Sequence, residues 1–100
     1  MRDFTFEAQL FAWDSDSPDS WNFVALPEDV SDDIEESVVG ESRGFGSVRV
    51  RARLGATEWT TSLFPSKAQR AYVLPVKRPV RRAAGVEAGD TATFTVTVLD

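Results

Sequence analysis

The sequence predicts a mainly β protein: a small closed β-barrel of about six strands with two short helices. Three observations lead there. Six segments carry strand patterning, and helical periodicity occurs only after the Leu-Pro pairs at Leu26-Pro27 and Leu74-Pro75. A short internal echo also relates the two halves: Phe23-Val-Ala-Leu-Pro27 followed by Val30, and Tyr72-Val-Leu-Pro75 followed by Val80. Two halves of that kind can close one barrel, which removes exposed sheet edges. One hundred residues make one domain over residues 1–100, large enough for a single modest core.

The clearest element is a hairpin. Val48, Val50, Ala52 and Leu54 alternate with Ser47, Arg49, Arg51 and Arg53, the period of a half-buried strand. Gly55-Ala56 suits a two-residue type II′ turn, which needs a positive φ at its first central residue. That turn fixes the register: Leu54 faces Thr57, Arg53 faces Glu58, Ala52 faces Trp59, Arg51 faces Thr60 and Val50 faces Thr61.

The other elements follow in order. Residues 3–13 form a first strand, with Phe4, Phe6, Ala8, Leu10 and Ala12 on one parity. The polar loop 14–20 ends it. Its Asp14, Asp16 and Asp19 lack the sharp-turn glycine and distal glutamate of a calcium loop, so a solvated loop is expected. Trp21 to Leu26 is a second strand. Pro27 opens a helix from Glu28 to about Val38, with Val30, Ile34 and Val38 as its apolar stripe. Glu28 and Asp29 suit its positive dipole end, and Gly40 stops it. After the hairpin, residues 65–70 form a loop and Ala71 to Val76 a strand. Residues 79–84 make a second helix with proline at its start and Gly85 at its end. Thr91 to Leu99 is the last strand.

Composition excludes several kinds of chemistry. The chain has no cysteine and no histidine, which rules out disulfides, thiolate chemistry and a Ser-His-Asp triad. No cofactor or metal site is expected. No apolar run approaches the ~20 residues of a membrane span, and the N-terminus lacks a signal-peptide layout, so the cytoplasm is the expected location. Residues 1–41 hold twelve acids and one base; residues 42–100 hold ten bases and four acids. Net charges of −11 and +6 favour one half folding against the other within a monomer.

Several ordered motifs carry a resemblance. Trp21-Asn-Phe-Val-Ala-Leu-Pro27, Arg43-Gly-Phe-Gly46, Trp59-Thr-Thr-Ser-Leu-Phe-Pro65, Tyr72-Val-Leu-Pro-Val-Lys77 and Ala84-Gly-Val-Glu-Ala-Gly-Asp90 resemble the bacterial family called domain of unknown function 1905. The resemblance spans nearly the whole chain. It implies a small closed β-barrel with two short helices and no established activity. Members are often joined to a second domain of the bacteriocin-protection type. Separately, residues 80–94 are similar to the turn and strand of AbrB-type transcription factors, which bind DNA as intertwined dimers. That similarity covers only those fifteen residues of the chain and is read as a hint of barrel architecture.

Function classes are weighed on particular residues. Ser62 lies near Lys67, but no nucleophile elbow frames it, and its parity is that of the polar face. Arg49, Arg51 and Arg53 form a basic stripe; the chain's acidity and the lack of interleaved exposed aromatics argue against nucleic acid. Trp59 and Tyr72 are candidates for stacking on a ligand. Arg43-Gly-Phe-Gly46 is a bend into the hairpin and lacks a phosphate-loop ending. Lys77 and Arg78 bring cations to the positive end of the second helix, an arrangement that an anion would offset; Pro79 removes one amide there. The expected function is a small-ligand- or protein-binding module with an anion site at that helix start. The candidate contacts are Arg43, Trp59, Lys67, Tyr72, Lys77 and Arg78, and the partner is a small anion or a protein. A DNA-associated regulator of AbrB type and an enzyme of unknown reaction are the alternatives.

Overall fold

The computed structural model describes residues 3–12, 22–38 and 47–99. Seven strands and two helices run in the order β1 (Asp3–Gln9), β2 (Phe11–Ala12), β3 (Asn22–Ala25), α1 (Glu28–Val38), β4 (Val48–Leu54), β5 (Thr57–Ser66), β6 (Ala71–Val76), α2 (Arg78–Ala84) and β7 (Thr91–Val98). Glycine-rich residues 43–46, Gly40 and the polar loop 14–20 lie outside the described residues.

The strands form one antiparallel sheet in the order β1-β7-β4-β5-β6-β3-β2. It is curled into a half-barrel and stays open, with seven strands where closure of about six is predicted. The difference arises at Leu10. The first strand of the sequence reading is two strands, β1 on β7 and β2 on β3, consecutive in the chain yet at opposite ends of the sheet. At the break, the Leu10 N–H donates to the Asp90 carbonyl and the Gly89 N–H donates to the Leu10 carbonyl, both at 2.9 Å. The next residues then pair with β3. Connectivity brings the two ends near each other, but among the described residues no ladder joins β1 to β2 or β3.

The hairpin has the predicted register throughout, from Leu54↔Thr57 to Val50↔Thr61, and continues to Val48↔Leu63. Gly55 sits at φ +61°, and Ala56 is not in the positive region, as a type II′ turn requires. β5 extends to Ser66, into what the sequence reads as loop.

One face of the curled sheet holds the core. Val48, Val50, Ala52 and Leu54 of β4 point there with Phe94, Val96 and Val98 of β7 and Phe4 and Phe6 of β1. Phe6 and Phe94 are directly paired and their rings stack with centroids 5.9 Å apart. α1 closes this face with Ile34, 0% exposed. Its buried Ser31 hydroxyl accepts the backbone N–H of Tyr72 at 3.0 Å. The Leu26 N–H donates to the Tyr72 carbonyl at 3.0 Å. The polar groups that tie α1 to β6 are therefore satisfied, as burial demands.

α2 starts at Arg78 with Pro79 in its first turn and ends at Gly85, φ +71°, the left-handed cap glycine adopts without a Cβ penalty. The Arg81 guanidinium donates to the Val76 carbonyl at 2.8 Å, which holds the helix against the end of β6. Val80 and Ala84 are partly buried against the core, as are Trp59 and Val86.

Candidate functional site

Strand parity decides which side chains reach the face opposite the core. In β5, Leu63 is buried in the core, so Thr60, Ser62 and Phe64 belong to the outer face. In β6 every residue from Tyr72 to Val76 is buried; Tyr72, Leu74 and Val76 join the main core, while Val73 and Pro75, on the other parity, are covered on the opposite face. Register lines these positions up across strands: Arg49 with Ser62, Phe64 with Val73, Pro75 with Phe23, and Phe23 with Phe11. A basic side chain thus stands at one end of this outer surface and two aromatic rings at the other.

Phe64 is the anomaly on this face. It is 44% exposed, the one large hydrophobic residue exposed among the described residues. It walls two hollows. The first, about 370 Å³, is mainly apolar; Phe11, Phe23, Phe64, Pro65 and Val73 line it together with the polar Ser66 and Gln69. The Phe11 and Phe23 rings pack against each other with centroids 6.0 Å apart. The second, about 260 Å³, is polar; Arg49, Thr60, Thr61, Ser62, Phe64, Pro75 and Lys77 line it. The apolar hollow falls in the lower part of the roughly 300–1,000 Å³ range of small-molecule sites, and the polar one lies just below it.

A third hollow, about 340 Å³, lies toward β1 and is bounded by Asp3, Arg51, Arg53, Glu58, Thr95 and Thr97. The Thr97 hydroxyl donates to the Asp3 carboxylate at 2.6 Å. Cations and carboxylates of the protein itself stand together there, so this hollow places little net demand on a charged ligand.

The residues singled out from sequence fall in different places. Trp59 and Tyr72 lie on the inner face: Trp59 is partly buried against the core, and Tyr72 is 6% exposed and belongs to it. Burial first, and then the charge of Glu35, pushes the Tyr72 phenol above its ordinary pKa of 10.0. Lys67 is exposed in the turn between β5 and β6, and Arg78 is exposed at the start of α2. Arg43 lies outside the described residues. Lys77 caps α2 in an extended conformation and lines the polar hollow with Arg49. No α2 residue lines that hollow, so Lys77 shares it with a second cation and three hydroxyl residues instead of the helix amides. Ser62 shares the hollow with Lys77, whereas Lys67 does not line it.

Phe11, Phe23 and Phe64 escaped the sequence reading as site residues, and Arg49 entered it only as part of the basic stripe. The available signal was parity: Phe64 shares the parity of Thr60 and Ser62, which places a large ring on the wet face. Among the described residues no group of three or more acidic, histidine or cysteine side chains is placed to hold a metal ion. No helix among them is long and apolar enough to cross a membrane.

A family model described as "Domain of unknown function (DUF1905)" matches residues 6–96 of the chain. No curated protein matches it.

Proposed function

This chain belongs to the DUF1905 family, and from that premise we propose that it is a binding module for a small organic ligand, held on the outer face of β5 and β6. The observation that carries this reading is the exposed Phe64 ring over an apolar hollow of about 370 Å³. At 44% exposure the ring forgoes part of the roughly 1.5–3 kcal/mol that full burial would contribute. Around it, Phe11, Phe23 and Val73 supply an apolar floor, while Ser66 and Gln69 supply polar groups at one margin. A mainly apolar concavity with a few convergent polar groups is the usual form of a small-molecule site.

The test uses indole, a neutral aromatic probe, titrated into the protein and followed by backbone amide NMR. Saturable shifts grouped at Phe11, Phe23, residues 64–69 and Val73, and lost in Phe64→Ala, support the reading. Shifts that stay linear to the solubility limit, or that centre on the inner face near Trp59, overturn it.

A further inference from the structure

The turn that borders the apolar hollow bears on the kind of ligand. We propose that the ligand is an uncharged, flat heterocycle with an N–H beside a C=O on its rim, and that the Gln69 carboxamide reads this edge. This rests on the reading above and narrows it to a chemical class.

Three observations carry it. The first is charge. None of the described residues lining the hollow is ionisable at neutral pH. An ionised group drawn into it would lose water with no counter-charge beside it, a cost that an uncharged ligand avoids. The second is the hydrogen-bonding capacity that the hollow leaves unused. No hydrogen bond within the described residues engages the Gln69 carboxamide. It is the one side chain of the described lining that offers a donor and an acceptor in a single plane. The Ser66 hydroxyl accepts the Gln69 backbone N–H at 3.2 Å, which leaves its own proton to donate. The third is the way the turn is held. The Arg70 N–H donates to the Lys67 carbonyl at 3.3 Å. Arg70 sits at φ +56°, the one non-glycine residue with positive φ among the described residues. Such a conformation persists where the surroundings over-determine it, and it clusters at ligand clamps. The Gln69 backbone is thus set beside the hollow before a ligand arrives, so less ordering is left to the binding step.

A lactam edge is the complement of a carboxamide. Its N–H donates to the Gln69 oxygen and its C=O accepts from the Gln69 nitrogen, the two-point contact that glutamine makes with the donor–acceptor edge of a base. The body of the heterocycle then lies among Phe11, Phe23 and Phe64. Offset or edge-to-face ring pairs there add to what area burial alone contributes.

The experiment compares 2-quinolone with 1-methyl-2-quinolone at pH 7 by amide NMR titration of the whole chain. The two share one uncharged bicyclic body, and the methyl group removes the N–H. The expected result is that 2-quinolone binds roughly fivefold more tightly, the scale of one partly exposed hydrogen bond. Its binding also shifts the Gln69 side-chain amide resonances further than the methylated probe does. Gln69→Leu abolishes the difference and leaves the affinity for 1-methyl-2-quinolone unchanged; an intact amide spectrum certifies that the variant is folded. If it does not fold, the probe pair and the side-chain resonances of the unaltered chain decide. 2-Naphthoate, ionised at this pH, is expected to bind more weakly than 2-quinolone. Equal affinity for the two quinolones, a preference that persists in Gln69→Leu, or tighter binding of 2-naphthoate overturns the assignment while the apolar site stands. If no probe binds at Phe64, the proposed function fails with it.

Discussion

Arg53 and Glu58 stand directly opposite each other across the β4–β5 hairpin, both exposed on the face away from the core. Their pairing fixes the parity of every other residue in the hairpin. It places Trp59 inward and Phe64 outward, and sets Arg49 beside Ser62. The relationship matters for geometry far more than for energy. Opposite charges across strands contribute about 0.2–1 kcal/mol, and exposed pairs fall at the low end. A double-mutant cycle with Arg53→Ala and Glu58→Ala is expected to give a coupling below about 1 kcal/mol in chemical denaturation. A larger coupling would mean that the pair is shielded from solvent.

Ser31 is the polar link between α1 and the sheet. Its hydroxyl accepts the Tyr72 backbone N–H in a buried site, and Ser31→Ala leaves that N–H without its partner. The expected loss is about 1–3 kcal/mol, read as a fall in Tm of roughly 4–8 °C per kcal/mol for a domain of this size. Ser31→Thr, which keeps the acceptor, should retain more of the stability than Ser31→Ala. Equal loss in both variants would assign the effect to packing.

Tyr72 gives the fold an alkaline limit. Burial, and secondarily Glu35, raises its pKa above the ordinary 10.0. Below pH 10 the phenol is protonated in both folded and unfolded chains, and its contribution is fully present. Above that value the unfolded chain loses the proton first, so stability falls with rising pH until the folded-state pKa is passed. Because Tyr72 is the only tyrosine, tyrosinate absorbance reports it alone. The folded protein should titrate later than the denatured one. Glu35→Gln should move the folded midpoint only part of the way back, since burial is the larger cause. A folded midpoint at or below the denatured one would contradict the buried placement of Tyr72.

The parts of the fold set by local rules were legible in sequence. Gly55-Ala56 determines a two-residue turn, and alternation then assigns every face of β4 and β5. Val30 and Ile34 mark the buried side of α1, and Pro79 and Gly85 bracket α2. The open sheet was not legible. Leu10 keeps the alternation of Phe4, Phe6 and Ala8, so the point where the chain leaves β7 for β3 leaves no trace in the pattern. Alternation says which face a residue joins and nothing about which strands meet at the ends of a sheet. The same limit explains the site. The size of Trp59 and Tyr72 marks them as stacking candidates, but their strand positions carry them inward. Sequence marks Lys77 as a cation near a helix start, and only the tertiary arrangement sets it in one hollow with Arg49. Phe64 was legible in principle, as the aromatic on the polar parity of β5.

Phe64 carries the central claim that its ring is exposed to hold a ligand and contributes little to packing. The most direct measurement pairs denaturation with indole titration in Phe64→Ala. The expected result is a stability change of about 1 kcal/mol or less, as for a surface position, together with loss of the saturable shifts at Phe23 and Val73. A loss of about 3–5 kcal/mol, the range for a buried Phe→Ala change, with the indole shifts retained, would contradict the account and return Phe64 to the core.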